Sequence, residues 1–143
     1  MIVISHRGNL DGRVIEKENE PNYLLQAIDH GFDIELDIHW WKEAFWLGHD
    51  KPEYEVNTSF LESIKERAWF HCKNLEVVEK FYNTKYNWFW HEEDKVTLTS
   101  NGNIWCYPGY EIQNGIAVEK DKKVNCDINI LGVCTDYPLR YLM

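Results

Sequence analysis

Phe32-Asp33-Ile34-Glu35-Leu36-Asp37-Ile38 is the stretch on which the fold turns. It has the length and the Ile and Phe content of a β-strand. Side chains alternate along a strand, so Glu35 and Asp37 share one face while Ile34, Leu36 and Ile38 share the other. On an edge strand the two carboxylates would simply face water, with the three aliphatic residues forming the whole buried side. In an interior they repel one another and need a cation, an arginine or a shared proton. A hard divalent metal bound through oxygen is the economical solution. His39 breaks the alternation and has no assigned role.

Working outward, the same pattern recurs: a short apolar run that ends in polar, chemically capable residues. Met1–Ile4 leads into Ser5-His6-Arg7-Gly8, and Ala44–Leu47 into Gly48-His49-Asp50. Ala68–Cys72 carries His71 and ends at Lys73, and Tyr86–Trp90 runs into His91-Glu92-Glu93. Ile104–Tyr107 is followed by Pro108-Gly109, Gly115–Val118 by Glu119-Lys120, and Ile130–Cys134 by Thr135-Asp136. Helical patterns separate the early runs. Pro21–Gly31 has Leu24, Leu25, Ala27 and Ile28 on one side, with Gly31 as a C-cap. Thr58 or Ser59 caps a second helix through Phe60, Leu61, Ile64 and Ala68, and Leu75–Tyr82 reads as a third. Beyond residue 83 turns such as Ser100-Asn101-Gly102-Asn103 take over. Eight runs, the first ones alternating with helices, predict an α/β fold in which a βα series closes into a TIM-type barrel, with its site at the C-terminal ends of the strands. An antiparallel sheet with appended helices is the rival, and it gives no common reason for polar clusters at strand ends.

The chain has 143 residues and a single domain is expected over 1–143. With 15 Lys plus Arg against 24 Asp plus Glu its formal charge is −9, which argues against nucleic acid or an anionic membrane as a passive partner. An anionic substrate would need a local counter-charge. No apolar run approaches a membrane span. The opening Met1–Asn9 lacks the basic and long apolar regions of a signal peptide. Cys72, Cys106, Cys126 and Cys134 form no CxxC pair and read as reduced thiols, which points to the cytoplasm. P-loop, GxGxxG, zinc-spaced Cys/His and GxSxG patterns are all missing from the sequence.

The candidate chemistry then falls on a few residues. His6 beside Arg7 suits anion handling, Arg7 gripping oxygens with its fork. His6 and His49, at two strand ends, could form an acid–base pair around a metal-held ester. His71 and Lys73 share a strand face: Lys73 could neutralise a phosphate oxygen, and His71 could ligate a metal or be a satisfied polar residue of the interior. His30 lies in a helix and reads as surface, and His91-Glu92-Glu93 as a charged turn, with Glu92 the nearest spare carboxylate to a strand end.

In order, His6-Arg7-Gly8, Glu18-Asn19, Glu35-Leu36-Asp37, His49-Asp50, a strand ending in Lys73, and Thr135-Asp136-Tyr137-Pro138 resemble the glycerophosphodiester phosphodiesterase family, whose pattern is HRG, ENT, ELD, HD, EIK and TD-x-P. The resemblance is densest through residue 50 and returns at the last motif. It implies a metal-dependent phosphodiester hydrolase with a TIM-type barrel. Glu35 and Asp37 resemble the first two metal ligands, His6 and His49 the general acid–base pair, Arg7 and Lys73 the phosphate contacts, and Glu18 a brace of the first loop near the metal. The implied ion is Mg²⁺ or Ca²⁺, with Mn²⁺ as an alternative. The implied products are an alcohol and a phosphomonoester of the glycerol 3-phosphate type.

The EIK motif reads His71-Cys72-Lys73 here, so the third carboxylate is replaced: His71 takes its place, or Glu92, Glu119 or water supplies an oxygen. The ENT motif reads Glu18-Asn19-Glu20. A full barrel takes about 250 residues, so a chain of 143 implies a compact (β/α)8 barrel with several outer helices shortened or missing. Strand faces stripped of helices would favour a homodimer. A small phosphodiester is the expected substrate. The alternatives are a phospholipase D-like enzyme of the same superfamily, and a non-catalytic barrel that binds a phosphorylated metabolite or a partner protein.

Overall fold

The structure, a computed structural model, describes residues 1–120 and 129–142. Its strands in chain order are β1 (Ile2–His6), β2 (Asp33–Trp41), β3 (Ala44–Leu47), β4 (Tyr54–Val56), β5 (Ala68–Cys72), β6 (Trp88–Phe89), β7 (Val96–Leu98), β8 (Ile104–Cys106), β9 (Gly115–Val118) and β10 (Gly132–Thr135). Three α-helices lie among them: α1 (Pro21–Asp29), α2 (Thr58–Ile64) and α3 (Leu75–Phe81), and Pro138–Tyr141 forms a 3₁₀ turn. Each α-helix starts on a side-chain cap. Glu20 accepts from the Asn22 amide, Asn57 from Phe60 and Asn74 from Val77. The cap of α2 is thus Asn57 rather than Thr58 or Ser59, and the helix ends at Ile64 because Ala68 already belongs to β5.

All strands join one curled mixed sheet. Eight follow the order β4-β3-β2-β1-β10-β9-β8-β7, while β5 pairs with β2 and carries β6. Within it, β6, β5, β2, β1, β10, β9 and β8 run parallel, neighbour to neighbour. The expected closed (β/α)8 barrel is not what forms: the sheet is open, a half-barrel with three helices among the described residues. Two local events explain the difference. The Ala44–Leu47 run does not become a parallel barrel strand. It folds back antiparallel on the end of β2 through Lys42 and Glu43, both at positive φ (47° and 58°), which is the backbone of a tight hairpin turn. Further along, the segment between β8 and β9 is too short for a crossover helix, which needs a dozen or more residues. No ladder among the described residues joins β6 to β8. Instead β7 lies antiparallel on β8, and Ser100 links across to β6, its amide donating to the Trp88 carbonyl at 2.7 Å and its hydroxyl accepting from the Trp88 amide at 2.9 Å.

The alternation read in β2 decides where everything sits. Ile34, Leu36 and Ile38 face outward, packed with Leu24 and Ala27 of α1, Leu61 and Ile64 of α2, and Val77 and Phe81 of α3. The opposite face of the sheet curls around a second, smaller core of Ile4, Trp69, Phe89, Trp105, Ile116 and Cys134. These residues form a floor of large rings, with the Phe89 and Trp105 centroids 4.5 Å apart and nearly parallel. Two residues beyond Ile4, Trp69 and Cys134 on their parallel strands, and so above that floor, come His6, His71 and Asp136, with Glu35 of β2 in register with His6. Cys72, Cys106 and Cys134 are buried and unpaired, and Cys126 lies outside the described residues. Among the described residues no helix is long and apolar enough to cross a membrane.

Candidate active site

A cavity of about 370 Å³ opens over that floor. Its lining includes His6, Arg7, Glu35, His49, His71 and Asp136. Parallel pairing brings them together. Glu35 is in register with His6 on one side, and Asp37 with His71 on the other.

His6 closes β1, and the chain then turns sharply. Arg7 adopts φ 59° and Gly8 φ 92°. A Cβ on Gly8 would lie 2.7 Å from a Tyr23 ring carbon and 3.2 Å from the Tyr23 backbone, so both the conformation and the space call for glycine. The turn aims the two functional side chains in different directions. His6 Nδ1 lies 2.9 Å from Asp136 Oδ1, leaving Nε2 toward the cavity at 3.9 Å from Glu35 Oε1. Burial works against a charge on this ring, but the hydrogen bond to Asp136 and the charge of Glu35 outweigh it, and the His6 pKa is raised. Asp136, although desolvated, is lowered by the same hydrogen bond.

Arg7 runs the other way. Its Nε is 3.0 Å from Asp37 Oδ2, its Nη1 is 3.3 Å from Glu18 Oε1, and its Nη2 donates to His49 Nδ1 at 2.7 Å. A guanidinium only donates, so His49 Nδ1 accepts in this arrangement. His49 reaches the site through the β2–β3 hairpin. Gly48 sits at φ 152°, where a Cβ would meet the Lys51 carbonyl at 2.0 Å, and its own carbonyl is held by His39 Nε2 at 2.8 Å. His39, unassigned from sequence, therefore anchors the loop that delivers His49.

Asp37 is fully buried. Desolvation opposes its charge, yet the surrounding His71 and Arg7 hold its carboxyl well below the usual range. Asn19, at φ 69°, donates to Asp37 Oδ2 at 3.0 Å and accepts from the Asp37 amide at 2.9 Å. Glu18 accepts from Asn9 at 2.7 Å and from Arg13 through both of its oxygens, so it braces the first loop through Arg7, Asn9 and Arg13. His71 Nδ1 lies 3.2 Å from Asp37 Oδ1 and 3.5 Å from Glu35 Oε2. Burial opposes its charge as well, but the two carboxylates raise its pKa to about 9.

The donor set fits a metal ion. Ligand atoms of Glu35, Asp37 and His71 lie within 4.8 Å of one another and could hold one. Glu35 Oε1 is buried with no hydrogen-bond partner, which is costly in a protein interior unless a cation completes the site.

The other expected residues are distributed unevenly. Lys73 follows the end of β5, donates its amide to the Ile38 carbonyl, and is not among the residues that line the cavity. Arg13 and Lys120 do line it and supply cationic charge there. Glu92 is exposed at the rim. Glu119 is buried and accepts from the hydroxyls of Thr135, at 2.7 Å, and Tyr141. Asn9, Arg13, Asn19 and Asp136 had no assigned roles from sequence. Asn19 and Asp136 carried a signal as members of the Glu18-Asn19-Glu20 and Thr135-Asp136-Tyr137-Pro138 motifs, and Asp136, two residues past Cys134, also keeps the inward parity of β10. Comparisons of the chain with protein-family models, with curated proteins and with solved structures find no match.

Proposed function

We propose that the chain is a metal-dependent phosphodiesterase acting on glycerophosphodiesters or a similar small diester. One observation carries the reading: His6, oriented by Asp136, and His49, resting on Arg7, line one cavity around the Glu35–Asp37–His71 group. Two histidines with different partners suit opposite proton-transfer roles. When bound by Glu35, Asp37 and His71, a divalent ion would neutralise and polarise the phosphoryl oxygens. The two carboxylates admit Mg²⁺, Ca²⁺ or Mn²⁺, and the imidazole nitrogen shifts the balance toward first-row transition ions.

The chain's own residues do the rest. Arg7 and Arg13 give the diester its counter-charge in a protein that is acidic overall. A phosphate that draws Arg7 away from His49 frees the Nδ1 lone pair to take a proton from the attacking oxygen as that oxygen bonds to phosphorus; the attacker is water, or a neighbouring hydroxyl of the substrate whose cyclic phosphodiester a water then opens to the monoester. The bond from phosphorus to the leaving alcohol breaks, and His6 Nε2 gives that alcohol its proton, a role that its raised pKa favours. A cavity of about 370 Å³ accommodates a small head group rather than a long acyl chain. The buried unpaired cysteines suit the reducing cytoplasm. The same built His6–Asp136 pair speaks against a non-catalytic binding protein.

Release of sn-glycerol 3-phosphate from glycerophosphocholine, measured with each divalent ion and with EDTA, tests the proposal. Turnover that EDTA removes and that His6→Ala lacks is expected. No turnover of any diester above the His6→Ala background, with any ion, would refute it.

A further inference from the structure

We infer that the Glu35–Asp37–His71 group selects a borderline first-row transition ion, of the Zn²⁺ or Co²⁺ kind, over Ca²⁺ and Mg²⁺. The inference rests on the same metal site as the proposed hydrolase but not on its substrate. It comes from how His71 is held. Its Nε2 lies 3.0 Å from the carbonyl oxygen of His91. A carbonyl can only accept, so Nε2 carries the hydrogen and the lone pair of the neutral ring is on Nδ1. That lone pair points between Asp37 Oδ1, at 3.2 Å, and Glu35 Oε2, at 3.5 Å. The ring cannot readily swing away, because its face stacks on Phe89 with centroids 4.8 Å apart and 14° between planes. Strand register reinforces this, since Asp37 and His71 are paired directly across β2 and β5.

An imidazole whose far nitrogen is fixed by a backbone carbonyl is the usual arrangement of a metal-ligating histidine. Nitrogen donors favour Zn²⁺, Co²⁺ and their neighbours, whereas Ca²⁺ takes about six to eight oxygens and Mg²⁺ about six. The surroundings offer hard ions little more. The floor beneath includes Phe89, Trp105 and Cys134, the Asn19 amide is spent on Asp37, and Asp136 is engaged by His6 and Asn9. A second nitrogen, His6 Nε2, stands 3.9 Å from Glu35 Oε1.

The test uses the full chain and reads binding rather than turnover. Zn²⁺ affinity is measured by competition with a chromophoric chelator, Ca²⁺ and Mg²⁺ affinity by calorimetry, and Co²⁺ by its visible absorption. The expected result is one site that binds Zn²⁺ at least about 100-fold more tightly than Ca²⁺ or Mg²⁺. His71→Glu, which restores an all-oxygen donor set, should shrink that ratio by about 10-fold or more. If that variant does not fold, His71→Gln serves instead and should weaken Zn²⁺ by about 10–100-fold while leaving Ca²⁺ nearly unchanged. Ca²⁺ or Mg²⁺ binding as tight as Zn²⁺ would overturn the inference, and so would Zn²⁺ binding that neither His71 variant changes. The two proposals fail separately. Preference for Zn²⁺ without hydrolysis of any diester removes the enzyme and keeps the site, while EDTA-sensitive hydrolysis supported best by Ca²⁺ does the reverse.

Discussion

Deprotonating His71 in the metal-free protein should loosen the whole fold, by an amount that follows from its position. Burial opposes its charge, but the flanking carboxylates raise its pKa from 6.5 to about 9. A histidine whose pKa is higher in the folded chain contributes stability in full below the unfolded value and loses it as the pH rises through the folded value. The window therefore runs from pH 6.5 to about 9. At about 1.4 kcal/mol for each pH unit between the two titrations, the contribution is about 3 kcal/mol. That is a large share of the roughly 5–15 kcal/mol that stabilises an ordinary domain. The assay is urea unfolding in excess chelator, followed by tryptophan fluorescence, for the native chain and His71→Gln between about pH 6 and about pH 10. Glutamine keeps a polar side chain but takes no proton. The native chain should be the more stable of the two by about 3 kcal/mol at the acid end, and the difference should vanish above about pH 9.5. A difference that stays constant across the range would refute the account of a His71 charge held by Glu35 and Asp37.

Asp136→Asn should cut turnover by about 100-fold or more and move the alkaline limb of the pH–rate profile to lower pH, because the group that raises the His6 pKa is gone. An unmoved limb would remove the acid role from His6. Asn19→Ala deletes two hydrogen bonds to Asp37 and should weaken metal binding, read by calorimetry, by about 10–100-fold. Gly132→Ala would drive a Cβ to 2.6 Å from the Ile2 carbonyl and should destabilise the β1–β10 pair by about 1–3 kcal/mol in urea unfolding.

Much of this site was legible in the sequence because it obeys strand parity. Glu35 and Asp37 flank Leu36, His71 sits two residues past Trp69, and His6 two past Ile4, so the polar ends and the apolar floor follow from one alternation. The outward face was equally readable: α1 and α3 form near their expected bounds because their Leu, Ala, Val and Phe residues have Ile34, Leu36 and Ile38 to cover. What the pattern concealed was direction. Ala44–Leu47 looks like any other strand run, and only the left-handed backbone at Lys42 and Glu43 turns it antiparallel. An apolar run carries no arrow, and eight of them were enough to suggest a closed barrel. The roles of Asn9, Asn19 and Arg13 were concealed for a different reason. These residues act from a loop, where no period links sequence position to direction, and what matters about Asn19 is a positive φ that its neighbours do not announce.

The hydrogen bond between His6 and Asp136 spans 130 positions of the chain. Contacts this distant in sequence form late, because the loop entropy of closing them must be offset by nearly everything in between. Strands β1–β6, the β2–β3 hairpin and the three described helices can be in place while His6 still has no orienting carboxylate, for that arrives only with β10. Catalytic competence in such a molecule would lag behind collapse. In a refolding experiment the return of tryptophan burial and the return of activity should then be two separate clocks, with β10 docking setting the slower one.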